Sequence, residues 1–149
     1  MTDDRLLGRD LALDYRLGAF REDADLRPQQ ARGRVDIAAI AATDNLAQAI
    51  INRLKTRKGE LAGLGHPDYG SRHHELMGEP NVERTRNLIK FHVLRALRDE
   101  PRIARVLRAD VHADHEPPRE TVRITLAIQP IGAQAALNLV VPFSLAGVA

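Results

Sequence analysis

Two carboxylates beside a glycine-rich segment come closest to the residue types and spacing of an enzyme. Glu60 and Asp68 flank Gly63-Leu64-Gly65. Glycoside hydrolysis uses two carboxyl groups about 5–9.5 Å apart, one of them with a raised pKa. No apolar run encloses either residue, and among 20 acidic residues such a pair arises easily by chance. The sequence therefore favours surface carboxylates, and we expect no catalytic residues.

Two histidine clusters raise the question of a metal site. They are His73-His74-Glu75 and His112-Ala113-Asp114-His115-Glu116. The spacing of neither cluster matches a defined metal motif, and neighbouring histidines on a helix diverge by about 100°. The chain has no cysteine, which excludes cysteine-ligated metals. We therefore predict no metal and no cofactor, with a small metal-binding module kept as an alternative function.

Nucleophilic and phosphate-binding motifs are not found in the sequence. Ser71 and Ser144 do not lie in a G-x-S-x-G turn. Gly63-Leu64-Gly65 continues into His66-Pro67 and not into the glycine-lysine-serine of a phosphate loop. These patterns argue against a serine hydrolase and against a nucleotide-binding loop.

An acidic corner is the most informative local feature. Asp99 and Glu100 end a helical pattern, where the helix dipole favours cations instead. Because Glu100 precedes Pro101 it leaves helical geometry, and we expect the turn to project it. Arg102 then offers a planar fork for a carboxylate or carbonyl. The corner is either an internal Glu–Arg pair or a rigid docking site for a partner.

Composition narrows the function classes. The chain has 149 residues, which suits one domain, and its net charge is only +2 with no long basic run. Aromatic residues make up 3%, too few for a sugar-binding or base-stacking platform. We expect no nucleic-acid partner. The start Met1-Thr2-Asp3-Asp4 has no apolar segment, so no secretory signal peptide is expected.

Two amphipathic helices are predicted, at about 44–56 and 81–99. The first has Thr43 or Asp44 as its N-cap. For the second, the spacing predicts a buried stripe that Ile89 and Val93 widen. The main residues of this stripe are Leu88, Phe91, Leu94 and Leu97.

Alternating apolar residues predict three strands after the helices. The buried faces are Leu107, Ala109, Val111 and Ala113, then Val122, Ile124, Leu126 and Ile128, then Leu137, Leu139, Val141 and Phe143. A short turn at 101–105 followed by a strand is favoured, although Ile103, Val106, Leu107 and Val111 also fit a helical stripe after Pro101. Short connections favour an antiparallel meander. We therefore predict an α+β fold, with two main helices packed on a small antiparallel sheet.

The N-terminal part of the chain is polar and rich in Arg and Asp. Residues 1–34 are predicted to form an extended arm, and residues 35–149 a single domain. Within that domain, Val35 to Ala41 is predicted to be a strand.

The segment from Ile124 to Ala149 has no charged side chain. A membrane span would need about 20 mostly apolar residues, whereas glutamine, asparagine and proline interrupt this stretch, so no span is expected. Edge strands are usually protected by lysine, proline or bulges, and here Pro142 alone could act so. The last strand is therefore either an open edge that invites another chain, or a central or covered strand.

Three segments in order resemble one known family. They are Asp44–Leu61, His66–Ser71 and Glu100–Ile103. Together they are similar to the baseplate wedge family of contractile tails, the gene-product-twenty-five-like family, historically labelled lysozyme-like. The resemblance extends over residues 33–145, and the N-terminal arm departs from the family pattern.

The resemblance implies a structural baseplate component of a phage tail, a type VI secretion machine or an extracellular injection particle. It would link the wedge to the first sheath ring and nucleate sheath assembly by strand addition. Implied partners are wedge proteins, the tail sheath protein, and hub or inner-tube proteins, with six copies per baseplate and assembly in the bacterial cytoplasm. The old family label supplies the alternative, a muramidase acting on the cell wall.

The resemblance also assigns residues to roles. Glu100, Pro101 and Arg102 would dock on the wedge. A structural polar set would hold the loop around Tyr69 and Gly70, namely Asn45, Gln48, Arg53 and Thr56. The last strand would pair with a sheath strand through Leu137, Asn138, Leu139, Val140, Val141 and Phe143.

Overall fold

Two long helices pack on one face of a three-stranded antiparallel sheet. This computed structural model describes residues 4–17, 22–114 and 118–146. The helices are α2 (Ala42–Lys55) and α3 (Glu83–Arg98). The sheet has the order β7-β8-β9, with β7 at Ile103–Ala113, β8 at Thr121–Pro130 and β9 at Leu137–Ser144. The predicted α+β class is confirmed.

The alternation in β8 creates the buried face of the sheet. Val122, Ile124, Leu126 and Ile128 are fully buried. The register places them opposite the apolar residues of β9, from Phe143 back to Leu137, as predicted. Leu46, Ile50 and Leu54 of α2 and Ile89, Val93 and Leu97 of α3 complete the same core. Because burying each such side chain stabilises by about 1.5–3 kcal/mol, this layer dominates the stability of the fold.

Strand β7 departs from the predicted alternation at two irregular positions. Register shifts fall between Ile103 and Arg105 and between Val106 and Arg108. An extra residue moves every later side chain to the other face. Val106 therefore packs against the core, whereas Leu107 is 45% exposed. The predicted face was wrong at Leu107, and the strand begins at Ile103, inside the predicted turn.

Helix α3 buries a narrower stripe than the spacing predicted. Its buried residues are Thr85, Ile89, Val93, Ala96 and Leu97. Leu88 and Phe91 were predicted to be in the core and are exposed instead. The apolar stripe of α3 is wider than the part that is buried, because packing of α3 against β7 covers only one side of it.

Helix α2 begins two residues before the predicted start. Its N-cap is Ala41, and no side chain caps the helix. The Ala42 N–H donates instead to the Gly8 carbonyl at 3.0 Å, so a preceding strand pair satisfies a donor that a side-chain cap would have satisfied. The prediction of Thr43 or Asp44 as N-cap was wrong for this reason.

The N-terminal region folds into a short helix and three two-stranded antiparallel ribbons. After α1 (Asp4–Leu7), the pairs are β1 (Arg9–Leu11) with β6 (Ala39–Ala41), β2 (Leu13–Leu17) with β3 (Glu22–Leu26), and β4 (Pro28–Ala31) with β5 (Arg34–Ile37). The predicted strand at 35–41 is thus divided at Ala38, and its halves pair with different N-terminal strands. No helix in these described ranges is long and apolar enough to cross a membrane.

The three ribbons meet at a ring of backbone hydrogen bonds. The Ala12 N–H donates to the Ala38 carbonyl, the Ala38 N–H to the Arg27 carbonyl, and the Arg27 N–H to the Ala12 carbonyl, each at 2.8 Å. Ala12 and Ala38 are buried, whereas both strands of the β4–β5 ribbon are largely exposed. The junction is therefore held by the main chain and not by a side-chain core.

Candidate functional site

The Glu-Pro-Arg corner folds its carboxylate inward. Glu100 is 6% exposed, so the predicted projection of this side chain was wrong. Arg102 donates to it through two nitrogens, Nε to Oε1 at 2.6 Å and Nη2 to Oε2 at 3.1 Å. This is the internal Glu–Arg pair, one of the two interpretations of the sequence. Pro101 remains exposed at the tip of the turn.

Arg53 of α2 reaches the same carboxylate from the opposite element. Its Nη2 lies 3.6 Å from Glu100 Oε2, and its guanidinium lies 4.6 Å from the centre of the Tyr69 ring. Burial alone would raise the pKa of Glu100, but hydrogen bonds from Arg102 and the charges of both arginines lower it below its usual value. The carboxylate therefore stays ionised and holds the end of α3, α2 and the Tyr69 loop together.

The Tyr69 loop is fixed by a close backbone approach at Gly70. Gly70 has φ +98°, and a Cβ there would lie 2.6 Å from the Thr56 carbonyl oxygen. That carbonyl accepts from the Ser71 N–H at 2.9 Å, while the Thr56 hydroxyl donates to the Asn52 carbonyl at 2.8 Å. Only glycine fits here. Arg53, Thr56, Tyr69 and Gly70 thus lie close together.

Asn45 and Gln48 hold a different segment from the one predicted. Asn45 Nδ2 donates to the Leu7 carbonyl at 2.8 Å. Gln48 accepts from the Leu13 N–H and donates to the Leu11 carbonyl, both at 2.8 Å. These amides fix the N-terminal strands on α2, and the assignment of both residues to the Tyr69 loop was wrong. The Gln48 amide is well suited to a strand backbone because it both donates and accepts.

Sequence reasoning missed Leu7, Tyr15 and Asn52. The Leu7 side chain is fully buried, and its carbonyl accepts from both Asn45 and Arg102, which ties the N-terminus to the corner. The Tyr15 hydroxyl donates to Asn52 Oδ1 at 2.7 Å, and burial raises the pKa of Tyr15 to about 12. The available signals were the apolar Leu6-Leu7 pair and the single Tyr15 in a segment rich in Arg and Asp, whereas nothing in the sequence marked Asn52.

Strand β9 lies at an edge of the sheet. Within the described chain it pairs with β8 and with no other strand. The Leu145 N–H donates to the Glu120 carbonyl in continuation of the register. The N–H and C=O groups of odd-numbered residues in β9 therefore point inward, toward β8, and those of even-numbered residues point outward, away from β8. Val140 is 59% exposed on the face opposite the core. The edge is therefore open at Asn138 and Val140, whereas Pro142 has no N–H to offer.

The candidate chemical groups occupy structural positions. Glu60 accepts from the Arg57 N–H at 3.0 Å, and the side chain of Asp68 is 88% exposed beside Lys58. Both are exposed, and neither lies in an apolar pocket of the kind that surrounds an acid catalyst.

The histidines that the structure describes do not converge on a metal position. His73 is buried with Nδ1 2.8 Å from the Ser71 hydroxyl, and His74 Nε2 lies 2.7 Å from the Leu54 carbonyl. His115 and Glu116 lie outside the described residues. Residues 4–17, 22–114 and 118–146 contain no cluster of three or more metal-ligating side chains.

Comparisons with known proteins agree on one family. The sequence model of the family described as Baseplate wedge protein gp25 matches residues 41–131. A solved structure from Geobacter sulfurreducens, described as a tail lysozyme, superposes with a TM-score of 0.62 at 27% sequence identity. The similarity covers 71% of this chain and 93% of that chain. No curated protein matches the chain.

Proposed function

Since the chain belongs to the Baseplate wedge protein gp25 family, a family of structural components in phage tail-like baseplates, we propose that it joins the wedge to the first ring of sheath in a contractile machine. The observation that carries the sheath part of this proposal is the open, uncharged edge of β9. Wedge proteins and the sheath protein are the proposed partners, with hub or inner-tube proteins as further neighbours. Assembly takes place in the bacterial cytoplasm.

The backbone of β9 can accept one more strand. The outward N–H groups of Asn138 and Val140 and the outward carbonyls of Asn138, Val140 and Pro142 are the donors and acceptors of the next ladder. Added strands gain affinity from such main-chain bonds and register from the alternating side chains. A sheath strand paired here would extend the sheet beyond β9.

The two edges of the sheet differ in a way that favours β9. Strand β7 carries two register shifts, which interrupt a regular ladder and disfavour strand addition, whereas the register of β9 is regular. Beyond Ser144, the Gly78 N–H donates to the Leu145 carbonyl and fixes the chain where β9 ends. The stretch from Leu137 to Val141 is left for a partner.

The corner suits wedge docking through Pro101 and the outer part of Arg102. Glu100 takes no direct part, because it is enclosed by Arg102 and Arg53. Its role is to hold Pro101 at a fixed angle to α3 and to β7. A rigid turn loses little conformational entropy on binding.

A muramidase function is not proposed. It would rest on the historical label alone, and the carboxylates that the sequence offered are engaged at the surface. No geometry in the described chain favours it over the structural role.

A proline at position 140 tests the strand proposal. Val140→Pro removes an outward N–H and leaves the inward ladder to β8 intact, so the protein should fold while baseplates carrying it fail to acquire sheath. Circular dichroism and thermal melting check the fold, and electron microscopy counts sheathed particles. Val140→Ala keeps the N–H and is the matched control. Sheathed particles of normal number and length with folded Val140→Pro protein would refute strand addition.

A further inference from the structure

We propose that the groove between α3 and β7 docks an acidic, apolar segment of a second baseplate protein. The groove encloses about 530 Å³. It is lined by Phe91, Leu94, Arg95, Arg98, Ile103 and Arg105 among others, and Ile103 directly follows the corner. The inference deepens the wedge-docking part of the proposed function, on which it rests, and it does not depend on the sheath proposal.

An unpartnered apolar stripe forms one wall of the groove. Leu88 and Phe91 are separated by one helical turn on α3, and Phe91 is 55% exposed. The first β7 irregularity, between Ile103 and Arg105, forms the facing wall. A phenylalanine this exposed at the mouth of a groove is the type of anchor that interface cores use.

Arginines surround this apolar centre and lack internal carboxylate partners. Arg84 lies one turn before Leu88, and Arg95, Arg98 and Arg105 line the groove itself. In the part of the chain that the structure describes, none of these four forms a salt bridge or a hydrogen bond to an acid. Among the described residues that line the groove there is no Asp or Glu. Such a surface is complementary to apolar side chains flanked by carboxylates.

The same features favour a protein over a nucleic acid. A nucleic-acid site needs a continuous basic face, whereas the centre here is apolar and Glu83 lies beside Arg84 at its far end. The irregular β7 edge does not offer a regular ladder, so side chains and not backbone pairing would hold the partner.

A photo-cross-linker in place of Phe91 tests the inference in assembled particles. Phe91→p-benzoylphenylalanine in the full chain should cross-link to an Asp- or Glu-rich segment of another baseplate protein, identified by mass spectrometry. Adding Arg95→Glu and Arg98→Glu should lower the cross-link yield at least about tenfold. Reversing the acids of the cross-linked segment to Lys should restore it. Arg34→Glu with Arg119→Glu, at two exposed sites, is the matched charge control.

Other outcomes overturn the inference. Cross-links confined to this chain, to a second copy or to nucleic acid would do so, as would a yield unaffected by the two charge reversals or reduced equally by the control. The same cross-linker at Pro101 distinguishes failure of the groove proposal from failure of wedge docking as a whole. If Pro101 cross-links to a wedge protein and Phe91 to none, the groove proposal fails while wedge docking stands; if neither does, both fail.

Discussion

At the scale of single residues, the most consequential contact is that between Glu100 and Arg102. From the sequence, Arg102 could be either a docking side chain or an internal partner. The bidentate bond to a buried carboxylate gives it an internal role, so removing it affects the fold before it affects any partner. A docking experiment that deletes Arg102 would confuse the two effects.

Arg102→Ala is therefore expected to destabilise the protein by about 3 kcal/mol, because it leaves the buried Glu100 carboxylate with only the 3.6 Å contact to Arg53 and a 3.3 Å hydrogen bond from the backbone N–H of residue 102. Urea unfolding monitored by circular dichroism measures the change. Arg105→Ala, which removes an exposed arginine of the same strand, should change the free energy of unfolding by less than about 0.5 kcal/mol. Equal stability of the two variants would contradict the internal role.

His73 makes the fold sensitive to acid. Burial, and then the charges of His74 and His92, lower its pKa from 6.5 to about 3. Between these values the unfolded chain binds a proton that the folded chain does not, so stability is complete above pH 6.5 and falls as pH falls, by at most about 1.4 kcal/mol per unit. Glu100, whose pKa is also lowered, acts in the same direction but only below its ordinary value of 4.5.

The window between pH 6.5 and 4.5 separates the effect of the histidines from that of Glu100. Urea midpoints measured across it should decline for the native chain and decline less for His73→Gln, which cannot be protonated. His92, whose pKa is lowered in the same direction, accounts for a remaining slope in the variant. Parallel slopes for the two proteins would refute the assignment to His73.

At the scale of elements, the sequence predicts strands that have a regular hydrophobic alternation. It does not predict strand irregularities or which side of a helix is buried, because tertiary contacts decide both. Strands β8 and β9 follow from period-two alternation over eight to ten residues. The irregularities of β7 leave no such trace, so Leu107 was placed on the wrong face. The apolar stripe of α3 was wider than its buried part, and nothing in the sequence distinguished Ile89 from Phe91.

The Gly70 turn tests how closely α2 and the Tyr69 loop approach. Gly70→Ala should destabilise by about 3 kcal/mol or more, because it combines a positive φ with contact against the Thr56 carbonyl. Gly65→Ala is the matched control, since Gly65 has φ +86° but open space around its Cβ position. It should cost about 1 kcal/mol. Equal thermal shifts for the two would argue against the close approach.

At the scale of the whole molecule, the N-terminal region is the part that sequence could describe least. Its pairings depend on amides of Asn45 and Gln48 and on a ring of backbone bonds, none of which creates a hydrophobic pattern. We propose that residues 1–34 nevertheless contribute to the stability of 35–149, because Leu7 lies in the shared core.

Two deletions separate the contributions of this region. Removing residues 1–34 should destabilise the rest severely, since it exposes the core around Leu7 and leaves the Asn45 and Gln48 amides without partners. Replacing residues 29–36 by Asn-Gly, which closes Pro28 and Ile37 by a two-residue turn, should change the free energy of unfolding by less than about 1 kcal/mol. Denaturant unfolding of both proteins measures this. Similar loss in both would show that the ribbon is part of the cooperative unit.

The ring formed by Ala12, Arg27 and Ala38 has a practical consequence. Its bonds use main-chain atoms alone, so the hairpin beyond it is free to change in length and sequence without disturbing its base. A fluorescent protein or an affinity label inserted at Arg32 and Gly33, the tip of the β4–β5 hairpin, would mark each assembled particle at a defined place. Evolution would be expected to have used the same freedom, so lineages of this machine should diverge first at that tip.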